Sequence, residues 1–113
     1  MKEETINLEN FRVKKGNAIS KVFTGRDRGK IVRSQSKIDE LEGRADKVII
    51  TIPNDIRSIN PSFFEEMLKN VVLKLGREKF LQKFSFQCNG GYNYQKPLFE
   101  AIDRILRPDT AIG

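Results

Sequence analysis

The sequence predicts a single α/β domain: a mixed β-sheet opened by an N-terminal β-hairpin, with helices packed against the sheet. Three observations carry this. Short apolar runs rich in β-branched residues, such as Val48–Ile52, have the length and composition of strands. Apolar stripes at three- and four-residue spacing mark helices between them. The order is strand, strand, helix, strand, helix, strand, helix, and helices alternating with apolar strands favour an open sheet with right-handed crossovers. A chain of 113 residues has room for one core, so residues 1–113 are expected to form one domain, with the hairpin over 1–23 and the α/β core over 24–106.

From Thr5 to Phe11, Ile6 and Leu8 alternate with Thr5, Asn7 and Glu9, the period of a half-buried strand. Lys15-Gly16-Asn17 supplies turn chemistry, and Ala18–Phe23 reads as the returning strand of the hairpin. The first helix is expected from Thr24, where Thr24-Gly25-Arg26-Asp27 has capping-box spacing. Ile31, Val32, Ile38 and Leu41 form its narrow apolar stripe, and Gly43 is placed to end it. Lys47–Pro53 follows. Its apolar residues fall on both faces, which predicts a central strand covered by helices on both sides. Pro53-Asn54-Asp55 then turns the chain.

Ser62 is a natural N-cap, and Ser62-Phe63-Phe64-Glu65 repeats the capping box. Phe63, Phe64, Met67, Leu68, Val71, Val72 and Leu75 make the apolar face, with Glu65, Glu66, Lys69, Asn70 and Lys74 opposite and Gly76 as the stop. Burying that face contributes about 1.5–3 kcal/mol per side chain before chain entropy is subtracted. Phe80–Asn89 carries Phe84, Phe86 and Cys88 in alternation with polar residues, a strand buried on one face. Asn89–Tyr94 is a loop. Pro97 suits a first helical position, Leu98, Phe99, Ile102, Ile105 and Leu106 form a last amphipathic helix, and Pro108 ends it.

At 38% hydrophobic and 32% charged, the chain is too apolar for a disordered segment. No apolar run nears the ~20 residues of a membrane span, and the first residues lack the apolar core of a secretory signal. Cys88 is the one cysteine and cannot form an internal disulfide, which points to a reducing cytoplasm. With no histidine, the usual zinc sites and the Ser-His and Cys-His nucleophilic pairs are excluded. The expectation is a non-enzymatic domain without metal, cofactor or membrane contact.

The net charge of +6 is concentrated. Between Arg12 and Arg33 stand Arg12, Lys14, Lys15, Lys21, Arg26, Arg28, Lys30 and Arg33 against Asp27 alone, a net of +7, so the other residues together sum to −1. The plain reading is a solvated basic segment. The alternative is a nucleic-acid-binding accessory protein that uses these eight cations. Only Phe11 and Phe23 interleave them, which is thin for stacking on single strands.

The element order, together with Ile56-Arg57-Ser58-Ile59-Asn60-Pro61-Ser62-Phe63-Phe64-Glu65-Glu66-Met67-Leu68, resembles the STAS superfamily, which includes the antagonists of bacterial anti-sigma factors. More closely, the chain is similar to small bacterial STAS-like domains of unassigned function, which carry a basic helix start like Gly25-Arg26-Asp27-Arg28-Gly29 and a strand like Lys47-Val48-Ile49-Ile50. The likeness runs from about Phe23 to Phe86. It implies a protein–protein interaction module in a bacterial cytoplasmic regulatory or signalling pathway, whose partner is an ATP-binding kinase or anti-sigma-type regulator. In the antagonists, the serine at this junction is phosphorylated by the partner kinase, which switches binding off. Ser62 holds the matching position, and Ile56, Ser58, Asn60, Pro61, Ser62, Phe63 and Glu66 would meet the partner. The chain departs from the family pattern with Asn60 for aspartate, Pro61 for a small hydroxyl residue, Phe63 for glycine, and Thr51 near a common strand-end aspartate.

The remaining polar residues have structural readings. Glu65 is explained by capping and Glu66 by the solvent face, Asn54 and Asp55 by the turn, and Cys88 by its strand register as a buried thiol. Gly90-Gly91 lacks the lysine and hydroxyl residue of a phosphate loop. Tyr92 and Tyr94 either form a partner patch or cover the last helix. Ser62 is either a simple cap or a phosphoacceptor.

Overall fold

Strand β5, Lys47–Ile52, lies at the centre of a three-stranded parallel sheet in the order β1-β5-β7, with β1 at Glu3–Asn7 and β7 at Phe84–Cys88. The structure, a computed structural model, describes residues 2–107. Parallel neighbours need long crossovers. Between β1 and β5 run a 3-10 turn (Leu8–Phe11), the short strands β2 (Lys14–Lys15), β3 (Ala18–Ile19) and β4 (Val22–Phe23), and helices α1 (Arg26–Ser36) and α2 (Ile38–Arg44). Between β5 and β7 lie β6 (Ser58–Ile59) and α3 (Pro61–Lys83), and α4 (Gln95–Leu106) follows β7. The fold is α/β, and its ladders are mixed: β4 pairs with β6 in parallel, while β2 and β3 are antiparallel.

The hairpin turns at Gly16-Asn17 as the sequence predicts, but its arms are only Lys14–Lys15 and Ala18–Ile19. The alternating segment that was expected to be its first arm goes elsewhere. Glu3–Asn7 pairs with β5, which buries Ile6, so the first residues belong to the core sheet and not to a separate hairpin unit. Pairing with a long apolar strand gives Ile6 a buried site that a two-stranded ribbon lacks.

Along β5, Val48, Ile50 and Ile52 are at most 1% exposed, while Lys47, Ile49 and Thr51 are half-buried. Ile49 aligns with Thr5 and Ser85, and Thr51 with Asn7 and Gln87. One face is therefore packed and the other only half covered, so the expected double helical cover is absent over the described residues. Against the packed face lie Phe63, Phe64, Met67, Leu68, Val71 and Val72 of α3, flanked by Val32 of α1 and by Leu98, Ala101 and Ile102 of α4. Aromatic rings run through this layer: Phe23 meets Phe63 at 4.9 Å, Phe64 meets Phe86 edge-on at 6.0 Å, and Phe80 stacks on Phe84 at 4.7 Å.

Several helix ends differ from expectation. No Thr24 cap forms. Gly25 precedes α1 without a side-chain cap, at φ 88°, a conformation open to glycine. Lys37, at φ 56° and ψ 37°, breaks the expected first helix into α1 and α2, and α2 runs past Gly43 to Arg44. In α3 the backbone leaves the helix at Gly76 (φ 79°, ψ 171°) but resumes it, so Phe80–Lys83 is helical and β7 begins only at Phe84. Pro97 lies in the first turn of α4, which starts two residues earlier at Gln95, and Phe99 is exposed. The stop expected at Pro108 lies outside the described residues. No helix among them is long and apolar enough to cross a membrane.

Candidate functional site

The loop from β5 to α3 leaves the carboxyl end of the central strand, where open α/β sheets generally place their ligands. It is fixed along its length. The Ile56 amide donates to the Pro53 carbonyl at 3.3 Å, Arg57 to Lys21 at 2.8 Å, and Asn60 to Phe23 at 2.9 Å. The Tyr92 hydroxyl accepts from the Ile59 amide at 2.9 Å and donates to the Ile59 carbonyl at 3.3 Å. Gly90 lets its own loop pass close to Asn54, because a β-carbon there would stand 2.1 Å from the Asn54 carbonyl oxygen. Tyr92 therefore holds β6 in place. Tyr94 covers Phe86, stacked at 5.6 Å, and its hydroxyl donates to the Phe86 carbonyl at 3.4 Å.

Asn60, not Ser62, caps α3. Its Oδ1 accepts from the Ser62 amide at 2.9 Å and from Ser62 Oγ at 2.8 Å, with Pro61 at the first helical position. Asn followed by Pro is the stronger start signal, since Asn caps well and Pro needs no amide partner there. Ser62 sits one residue inside the first turn, half-buried, with its hydroxyl spent on the cap. Ser58 and Asn60 are exposed and Pro61 is half-buried, while Ile56 and Phe63 lie in the core and cannot contact a partner.

Glu66 is not on the solvent face either. It is 7% exposed, with Arg26 Nη1 at 3.2 Å and Arg33 Nη1 at 3.6 Å, and Arg33 also donates to its backbone carbonyl at 2.6 Å. Those charges make burial tolerable. α1 crosses α3 closely here because residue 29 has no side chain: a β-carbon on Gly29 would meet the Phe63 carbonyl oxygen at 2.5 Å. Glu65 pairs with Arg26 at 3.4 Å and Arg104 at 3.7 Å. The Arg26 guanidinium is held more firmly protonated, first by the charge of Glu65 and then by its hydrogen bonds to the two glutamates.

The basic segment is split. Arg12 is buried at the side chain and forks onto Asp55, holding that carboxyl below its ordinary value through its hydrogen bonds. Arg12, Arg26 and Arg33 are thus committed to internal pairs, whereas Lys14, Lys15, Lys21, Arg28 and Lys30 form no ion pair among the described residues. Cys88 is half-buried, its Sγ 3.9 Å from the Gly90 carbonyl oxygen. Among the described residues, no group of three or more acidic or Cys side chains is placed to hold a metal ion.

Comparison with known protein families, curated proteins and solved structures finds no match to this chain.

Proposed function

We propose that this chain is a non-enzymatic, STAS-like protein-interaction module of a bacterial cytoplasmic regulatory or signalling pathway. It meets its partner with the β6–α3 junction, through Ser58, Asn60, Pro61 and Ser62. The observation that carries the reading is the position of Ser62. Its hydroxyl sits in the first turn of a long helix, on a loop whose amides are already tied down. A rigid loop loses little freedom when a partner docks. A phosphate on Ser62 would displace the hydrogen bond of its hydroxyl to Asn60, lie at the positive end of the helix, and add nearly two negative charges to the contact surface. Ile56, Phe63 and Glu66 act from beneath, as the packing that sets the loop. The resemblance points to an ATP-binding kinase or anti-sigma-type regulator as the partner.

The test is affinity capture of tagged protein from its native cytoplasm, with mass spectrometry of both the partners and Ser62. Wild type is expected to recover an ATP-binding regulator that a Ser62→Glu variant fails to hold. Equal recovery by both, with Ser62 unmodified, overturns the switch.

A further inference from the structure

Val13, Ile19 and Ile31 are 38%, 43% and 38% exposed, a concentration of large aliphatic side chains on one side of a small domain. They line two adjoining hollows. One, of about 470 Å³, lies between Val13 and the start of α1, with Arg26, Arg28 and Ile31 on its wall. The other, of about 260 Å³, lies on the hairpin between Val13, Lys15 and Ile19. Val13 is common to both, so the two form one groove across the hairpin base.

The charge around the groove selects its occupant. Lys15 and Arg28 line it and form no ion pair among the described residues, while Arg26 is already engaged by Glu65 and Glu66. Asp27 is the one acidic residue on the wall. An aliphatic floor with an unneutralised cationic rim fits a ligand carrying apolar and acidic groups together. Nucleic acid fits less well, because its phosphates have no use for the aliphatic floor and neither hollow is lined by an aromatic ring for a base.

We propose that this groove docks an acidic segment of a partner polypeptide, which places aliphatic side chains on Val13, Ile19 and Ile31 and carboxylates on Lys15 and Arg28. None of Ser58, Asn60, Pro61 and Ser62 lines the groove, and the inference does not depend on the phosphorylation switch.

The experiment uses isotopically labelled full-length protein and titrates it with synthetic peptides of about ten residues, enough to cross the groove in extended form. One peptide alternates glutamate with leucine, a second alternates glutamate with serine, and a third alternates lysine with leucine. Amide shifts confined to Val13–Ser20 and Thr24–Ile31 are expected with the first peptide, weakening as salt is raised. Affinity for the second should be lower by about tenfold or more, and the third should not bind. Arg28→Glu and Ile31→Ser are each expected to remove the shifts while the remaining spectrum stays folded. The proposal is overturned by equal binding of the two glutamate peptides, by no shift with either, or by shifts that survive both substitutions. It is overturned equally if a short DNA duplex moves these amides at low salt and the peptides do not.

Discussion

Arg12 and Asp55 stand 43 residues apart and join as a fork, Nη1 to Oδ1 at 2.9 Å and Nη2 to Oδ2 at 3.0 Å. The same guanidinium donates from Nη1 to Glu9 at 2.9 Å and from Nε to the Ser20 carbonyl at 3.0 Å. One arginine thus ties the 3-10 turn, the hairpin and the β5–α3 loop together. Its planar donor set suits this, and a lysine ammonium cannot reproduce it.

Arg12→Lys is therefore expected to loosen the loop while the charge is kept. Amide hydrogen exchange over Ile56–Asn60 should rise severalfold, with the exchange of β5 nearly unchanged. Uniform protection in the two proteins would show that the backbone bonds alone hold the loop.

Gly29→Ala tests the crossing of α1 over α3. In an ordinary helix interior this change gains about 1 kcal/mol. Here the added carbon would lie 2.5 Å from the Phe63 carbonyl oxygen and 2.8 Å from Glu66 Cβ, neither of them able to swing away freely. A loss of about 1–3 kcal/mol is expected in chemical unfolding, so the sign alone decides the matter.

The cap of α3 separates two residues that the sequence confuses. Asn60→Ala removes the acceptor of both cap hydrogen bonds and should cost about 1 kcal/mol. Ser62→Ala loses one hydroxyl donor and should stay within about 0.5 kcal/mol of wild type. Thermal unfolding of the two variants checks the order.

Glu42 gives the pH dependence. It is 4% exposed, with Lys74 Nζ at 2.7 Å and Lys83 Nζ at 3.0 Å, and Lys83 also donates to its backbone carbonyl. Burial pushes the carboxyl up, but the hydrogen bonds and charges of the two lysines together outweigh it and the net shift is downward. A folded-state value below the unfolded one means that the native state binds fewer protons in this range, so stability rises with pH there. The contribution is complete above the ordinary glutamate value of about 4.3 and is lost as pH falls through the lowered one. Glu42→Gln should cost about 1–2 kcal/mol at neutral pH, since the exposed Lys74 can rehydrate. The gap to wild type should close as unfolding is measured at progressively lower pH.

The amphipathic pattern by itself determined the fold class and most of the core. The α3 face from Phe63 to Val72 and Phe84 are buried as their periodicity requires, because apolar spacing is a property of the chain. The run Val48–Ile52, read as apolar on both faces, packs only Val48, Ile50 and Ile52 fully. The start of α3 was also written in the sequence, where Asn60-Pro61 is a stronger start signal than the Ser62 first read as the cap, and the Ser62 amide does reach Asn60.

Tertiary structure alone decided which strand Glu3–Asn7 would join, since alternation marks a buried face without naming its neighbour. It also decided which charges are internal. Glu66 looks like a solvent residue on a helical wheel, yet it is buried where α1 crosses at Gly29 and brings Arg26 and Arg33 to meet it. A charged side chain enters a core only when its partners arrive from elsewhere in the chain, and local sequence holds no record of that arrival.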